Sequence, residues 1–384
     1  MLRAQSSTPK CAGCTRSGAS LLLGFDEILE GNIVKKSLIT CAAVVACMTT
    51  AQAQNKVEVS GLVDLYAGSI KLGDGQGRTS QVGSGGMTTS WWGLNGSEDL
   101  GGGLKASFAL GAFFRADNGE MGRFNGDAFF ARDANIALSG SFGTVKLGRS
   151  MAPNFLPTIL FNAFGDSFTV SPLVLHADMH WPNASFPFDP QYRTTAADTG
   201  WSNQITYSTP SWGGLSANLH YQFGEQSGSE RSKKNVGANL MYFQGPLALT
   251  AFIERAQVAN PDLELLPQTK QNWMLGGSYN LDVVKLYATY GQSEWKNSNA
   301  YEAKTTSLGL DVPVSAAGTV KAAAAYTKVD APLTGDAKRT TVTLGYDHFL
   351  SKRTDAYTAV MYDKQKWTSN HSGTSAVVGI RHRF

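Results

Sequence analysis

Ser375–Phe384 reads SAVVGIRHRF, and the chain stops on the aromatic with no polar tail. Side chains of a strand point alternately to its two faces. Ala376, Val378, Ile380 and Phe384 therefore share one face, with His382 as a polar interruption, and Arg381 and Arg383 share the other. A final residue stays in place only if its backbone is paired. Pairing with the first strand, near Lys56–Ala67, would remove both free edges of the sheet at once, as in a closed barrel.

The same alternation recurs along the chain. Val57, Val59, Val63 and Leu65 alternate with Glu58, Ser60 and Asp64; Leu104, Ala106, Phe108 and Leu110 with Lys105 and Ser107; Ala134, Ile136 and Leu138 with Asp133 and Asn135; Leu286, Ala288 and Tyr290 with Lys285, Tyr287 and Thr289. Short glycine-, proline- or serine-bearing turns join the segments on one side (99–103, 139–143, 212–214, 245–246, 351–353). Longer polar connections join them on the other (69–86, 114–126, 225–233, 257–270, 295–302, 331–337, 367–373). The spacing predicts about sixteen strands of about ten residues, near the length that spans a bilayer when tilted. A secreted sandwich or adhesin would turn the apolar face inward; a membrane barrel turns it to lipid. Alternation fits either. The turn asymmetry and the aromatics near strand ends (Tyr66, Trp92, Tyr279, Tyr290, Tyr346, Phe384) favour the barrel.

Val34–Gln54 (VKKSLITCAAVVACMTTAQAQ) has a basic start, an apolar stretch over Leu38–Met48 and an A-x-A site at Ala51–Ala53. This is the pattern of a secretory signal, with cleavage expected between Ala53 and Gln54. The apolar stretch is shorter than the roughly 17–25 residues of a membrane helix. A lipid-attached Cys47 is the rival reading. Residues 1–33 are expected to precede the true start, leaving 34–53 as signal and 54–384 as the barrel domain. Cleavage removes all four cysteines, including the isolated CAGC at 11–14, and leaves a nearly neutral chain. Nothing in that balance points to nucleic acid.

Catalysis finds little purchase. There is no G-x-S-x-G elbow, and the six histidines stand in no recognisable catalytic context. Gly101–Gly103 lies in a turn before a strand and cannot cradle a phosphate at a helix start. His176, Asp178 and His180 have ligand spacing, but no further fixed ligand is evident, so no metal site is assigned. No cofactor motif appears, which leaves passive transport as the expected activity and a barrel enzyme as the minor alternative.

Ser90–Ala106 (SWWGLNGSEDLGGGLKA) resembles the general porins of the beta-proteobacterial outer membrane. The resemblance continues through Arg132–Arg149, Asn203–Ser216, Val283–Ala288 and Val378–Phe384, in the family's order. It implies an all-β, 16-stranded antiparallel transmembrane β-barrel with a long inward-folded third loop. It also implies a homotrimer in the outer-membrane lipid that passes small hydrophilic solutes and ions. The terminal Phe384 would be the mark read by the barrel assembly machinery. The loop's candidate is Arg149–Trp201, rich in Phe, Pro and Leu and longer than ordinary connections.

Facing follows from the alternation. Trp92 and Leu94 turn outward, so Trp91, Gly93 and Asn95 face the lumen, where the resemblance implies arginines at 91 and 95. Both residues here are uncharged, which puts the family's anion preference in question. Lumen cations are expected at Lys105, Lys146, Lys285, Lys321, Arg339, Arg381 and Arg383. Lys105 and Lys146 stand closest to the constriction, opposed by Asp166 and Asp178 on the loop, since charged rings bias passage by sign. Arg132 shares parity with the outward Ala134 and Ile136, where an arginine at mid-bilayer costs about 2–4 kcal/mol.

Overall fold

The computed structural model describes residues 56–177, 200–225, 234–257, 269–296, 301–331, 335–367 and 369–384. The strands are β1 (Lys56–Ile70), β2 (Thr79–Ser84), β3 (Trp91–Gly101), β4 (Leu104–Phe113), β5 (Asp133–Gly140), β6 (Gly143–Met151), β7 (Gly200–Ser208), β8 (Leu215–Gln222) and β9 (Asn235–Gln244). They continue as β10 (Leu247–Ala256), β11 (Thr269–Asn280), β12 (Lys285–Lys296), β13 (Tyr301–Pro313), β14 (Gly318–Asp330), β15 (Ala337–Phe349), β16 (Thr354–Lys366) and β17 (Asn370–Arg383). Two short helices, α1 (Phe155–Leu160) and α2 (Pro172–Ala177), follow β6.

Consecutive strands pair antiparallel, and β17 returns to β1 with Leu62–Ser69 against Arg383–Ala376. β2 and β3 lie end to end along the same edge of β1, so seventeen strand segments make a wall of sixteen. The closure expected from SAVVGIRHRF is present. The Phe384 N–H donates to the Gly61 carbonyl at 3.0 Å, and the Gly61 N–H donates to the Phe384 carbonyl at 3.1 Å. The ring lies over Gly61, where an added Cβ would stand 2.4 Å from the Phe384 Cζ. Only a glycine admits that approach.

The two faces are inverted relative to a water-soluble sheet. On β15, Leu344 is 59% exposed while its inward neighbours Thr341 and Thr343 are 0% exposed. Outward positions carry Val59, Phe108, Ile136, Leu147, Leu308, Val360, Val378 and Ile380. Inward ones carry Asp64, Gln204, Thr206, Glu254, Arg339, Asp355, Asp363 and Arg381. Apolar residues gain by leaving water, so a sheet with this pattern suits hydrocarbon outside and polar packing within.

Three expectations need correction. Tyr66 belongs to no outer girdle: it is buried on the inner face with Met87, Phe164 and Tyr357. The stretches at 295–302 and 367–373 overlap strands at their ends, since β12 runs to Lys296, β13 starts at Tyr301 and β17 at Asn370. Arg132 precedes β5 and does not follow its parity; its position is described below.

Candidate functional site

The second wall strand is interrupted. β2 pairs with Leu65–Ile70 and β3 with Lys56–Leu62, while Gly85–Ser90 between them leaves the wall and turns inward. Asp64 holds this turn. Its carboxylate accepts from the backbone N–H of Met87 at 2.8 Å and of Thr88 at 2.7 Å, and from the Tyr357 hydroxyl. The Asp64 N–H donates to Ser90 Oγ at 3.0 Å. Asp64 and Ser90 are both fully buried. A buried carboxylate is tolerated when its oxygens are satisfied in this way.

The segment after β6 packs against the inner wall. Asn154 donates to the Glu254 carboxylate on β10 at 3.0 Å, and Asn239 of β9 donates to the Pro153 carbonyl at 2.8 Å. Ala163, Phe164 and Val170 pack with Tyr66, Met87, Tyr287, Ala323, Ala359 and Val377. Small inward residues make room for them: a Cβ on Gly345 would lie 2.8 Å from Phe164. The loop then meets the inserted turn. Ser167 Oγ donates to the Gly86 carbonyl at 2.7 Å, Thr169 Oγ1 to the Gly85 carbonyl at 2.9 Å, and Thr88 Oγ1 to Asp166 at 2.9 Å.

Two buried arginines tie loop to wall. Arg339 on β15 bonds Asp363 of β16 through Nε at 2.9 Å and Nη2 at 3.2 Å, and donates from Nη1 to the Leu175 carbonyl at 2.9 Å. Arg381 on β17 bonds Asp355 at 2.9 Å and donates to Thr88 Oγ1 at 2.8 Å. Lys321 on β14 joins the Ala163 carbonyl at 3.1 Å and Asp311 at 3.2 Å. Between them lies His176 at the end of α2, with its ring nitrogens on the hydroxyls of Thr327 (2.7 Å) and Thr341 (2.8 Å). Burial and the nearby Arg339 guanidinium hold this ring neutral, well below the ordinary histidine value, with Asp363 opposing. Both ring nitrogens are thus spent on seating the loop. The other two ligand-spaced residues, Asp178 and His180, lie outside the described residues, as do Ala53 and Gln54.

The opposite arc of the wall, β3–β6, carries the remaining predicted residues. Trp91 and Asn95 face inward as expected, Trp91 opposite the buried Phe113 and Asn95 donating to Ser60 Oγ at 3.3 Å. Lys105 is the second residue of β4, paired with Asp99 and Ser139 beside the short turn. Lys146 lies between Ala137 and Thr206 in the ladder. Neither lysine forms a close ion pair among the described residues, although Asp99 stands across the ladder from Lys105. Arg383 pairs with Asp355 at 2.7 Å.

Arg132 is the correction. Its backbone N–H donates to the Gly111 carbonyl at 3.1 Å, and its side chain crosses inward past Gly111. The guanidinium carbon lies 3.7 Å from the centre of the Trp91 ring, and Nη1 bonds Asp133 at 2.7 Å. A guanidinium over an indole face is attracted by the ring quadrupole. The outward cost expected from parity does not arise, because the chain enters β5 only at Asp133.

The chain thus forms a closed barrel with an apolar exterior, a polar interior and the segment 152–177 packed on its inner wall. The Gram-negative porin profile aligns with residues 40–368. The chain belongs to the Gram-negative porin family. This porin is 32% identical to outer membrane porin protein 32 of Delftia acidovorans, over 91% of this chain and 100% of that one. It is 27% identical to an outer membrane porin protein of Bordetella pertussis, with the same coverage. An anion-selective porin from Comamonas acidovorans aligns with a TM-score of 0.70 at 29% identity, covering 86% of this chain and 100% of that one. The porin resides in the outer membrane and forms a water-filled channel for passive diffusion of small hydrophilic solutes and ions; it is a channel and not an enzyme.

Proposed function

We propose that this channel prefers anions, modestly, and that the preference arises on the β3–β6 arc. On the loop side the cations are neutralised: Lys321 by Asp311, Arg339 by Asp363, Arg381 by Asp355. Asp166 is likewise engaged by Thr88, which leaves it a weaker opponent than an open carboxylate. On the other side Lys105 and Lys146 form no close ion pair, and Arg132 stands at Trp91, where the family resemblance implies a basic residue. The observation that carries the reading is the pair of inward lysines, Lys105 and Lys146, which form no ion pair among the described residues; Arg132, stacked on Trp91, is itself paired with Asp133 and adds less. Uncompensated charges on a low-dielectric wall bias passage by sign. The anion-selective porin from Comamonas acidovorans agrees with it in sense.

Reversal potential across a planar bilayer under a potassium chloride gradient tests this. The wild type should show an anion-preferring sign, and Lys105→Ala with Lys146→Ala should move it towards cations. A cation-preferring wild type, or variants that leave the potential unmoved, would refute the assignment. We further propose a homotrimer, read out as three conductance sub-levels per insertion and as a threefold mass in detergent. Phe384 is proposed to serve the assembly machinery, so Phe384→Ala should lower outer-membrane yield without lowering secretion. The Ala53–Gln54 cleavage is checked by N-terminal sequencing of the mature protein.

A further inference from the structure

The sequence holds three Asn-Gly pairs, at 95–96, 118–119 and 125–126. In such a pair the side-chain amide is open to attack by the next backbone nitrogen, because glycine puts no side chain in the way. The attack needs a glycine N–H free to lose its proton and a chain free to turn. The fold treats the three pairs differently.

Asn95 and Gly96 lie inside β3, with β1 on one side and β4 on the other. The N–H groups of such a strand serve one ladder or the other, and the Phe108 ring covers Gly96. Asn118–Gly119 is exposed but tied. The Gly119 N–H donates to the Arg115 carbonyl at 2.8 Å. The Asn118 side chain accepts from the Glu120 N–H at 2.9 Å and donates to the Glu120 carboxylate at 3.2 Å. Asn125–Gly126 is exposed and forms the tip of a turn. The turn is closed by the Asp127 N–H on the Phe124 carbonyl at 3.2 Å and by Arg123 on the Asp127 carboxylate at 2.8 Å. The Gly126 N–H has no acceptor among the described residues, and a Cβ added there would meet no atom within 4 Å.

A second observation points at the same amide. Arg115 Nη2 donates to Asn125 Oδ1 at 2.8 Å, while Arg115 Nε is buried with no acceptor among the described residues. A guanidinium on the amide oxygen draws charge out of the carbonyl and stabilises the oxyanion that an attack creates. The unused Nε calls for a further acceptor. A carboxylate supplies two acceptor oxygens where an amide supplies one.

We propose that Asn125 is a self-modification site, where the amide converts to a carboxylate that completes the pairing of Arg115. The Gly126 nitrogen bonds to Asn125 Cγ and gives its proton to solvent. The Cγ–Nδ2 bond breaks, and the departing nitrogen takes up a proton and leaves as ammonia. Water then opens the cyclic imide at either carbonyl, giving aspartate or isoaspartate, with nothing oxidised or reduced. Either product adds one negative charge. It falls two residues from Arg123, whose guanidinium carbon lies 5.0 Å from the ring centre of the inward Phe113, so the new charge stands beside the lumen. Selectivity therefore drifts towards cations as the protein ages, whichever ion the fresh channel prefers.

The test incubates the full mature porin, folded in detergent, at mildly alkaline pH and follows the three pairs by peptide mapping. The Asn125 peptide should be the first to gain the mass of an amide-to-acid exchange and to accept a methyl group from an isoaspartate methyltransferase. Asn118 should lag by about fivefold or more, the factor set by one ordinary hydrogen bond on the Gly119 N–H, and Asn95 should stay unchanged. In the urea-unfolded chain the three should convert at similar rates, since the fold sets the order. The reversal potential of the aged channel should move towards cations with the converted fraction, and Asn125→Asp should give that shift at once. An Asn125 that stays intact in the folded porin, or an Asn118 that converts as fast, would overturn the site. Conversion with an unmoved potential would overturn its effect on selectivity. Both arms can be read on the wild type alone, so a folding defect in the variant leaves them decisive.

Discussion

The two halves of the lumen wall are built differently. Along β9–β17 the inward cations Lys321, Arg339 and Arg381 are locked in ion pairs, and the loop after β6 rests on this face. Along β3–β6 the inward residues include an aromatic, a stacked guanidinium and unpaired lysines. The first half spends its charges on holding structure; the second pairs Arg132 with Asp133 but leaves its lysines available to a passing ion. Charge in a lumen thus has two uses, and the hydrogen-bond partners tell them apart.

The sharpest way to break this contrast is Arg339→Ala. It strands the fully buried Asp363 and frees the Leu175 carbonyl, a loss of about 3–5 kcal/mol for one member of a buried pair. Melting of the folded band in denaturing gels should fall to lower temperature, and surviving channels should conduct more as the loop detaches. Asp64→Ala comes next. It removes the acceptor for Met87 and Thr88 and costs about 1–3 kcal/mol for each unsatisfied group. The same gel should show a smaller shift, with proteolysis newly possible at Gly85–Ser90.

A third effect is pH-dependent. Docked, His176 stays neutral because burial and Arg339 disfavour its charged form. Undocked, it titrates near the ordinary value of about 6.5. Below that pH the undocked loop takes up a proton that the docked loop refuses, so docking weakens as pH falls. Asp166 acts in the reverse sense, its carboxyl raised by burial. Loop-dependent current noise should rise between about pH 6.5 and 5, and His176→Gln should remove that rise. The smallest effect belongs to Arg132→Gln. Fold and conductance should persist, and the reversal potential should shift towards cations; no shift would assign the selectivity to the lysines alone.

Much of this wall was legible in the sequence, because period-two alternation gives facing directly and a terminal aromatic on the outward parity demands a partner strand. Trp91, Asn95, Arg381 and Arg383 fall where parity puts them. The failures have a common cause: parity holds only while the strand continues. Extending β5 one residue too far puts Arg132 outward, and composition alone puts Tyr66 in a girdle, although its own parity with Asp64 is inward. The inserted turn at Gly85–Ser90 left a faint signal in its paired glycines, but its anchor, Asp64, lies in another strand. The same holds for Arg339 with Asp363 and for His176 with Thr327 and Thr341. Contacts between distant strands appear only once the register is known.

The mutual hydrogen bonds of Gly61 and Phe384 bear on how the barrel comes to exist. The first strand of the wall finds its second neighbour only in β17, separated from it in sequence by the whole rest of the wall. Native contacts of such sequence separation are slow to form, because the chain entropy of closing the ring is lost before any pairing rewards it. Until then β1 and β17 each present an open edge able to recruit a foreign strand. Closure is therefore a kinetic bottleneck at the end of folding, and the interval before it is when this chain most needs an escort.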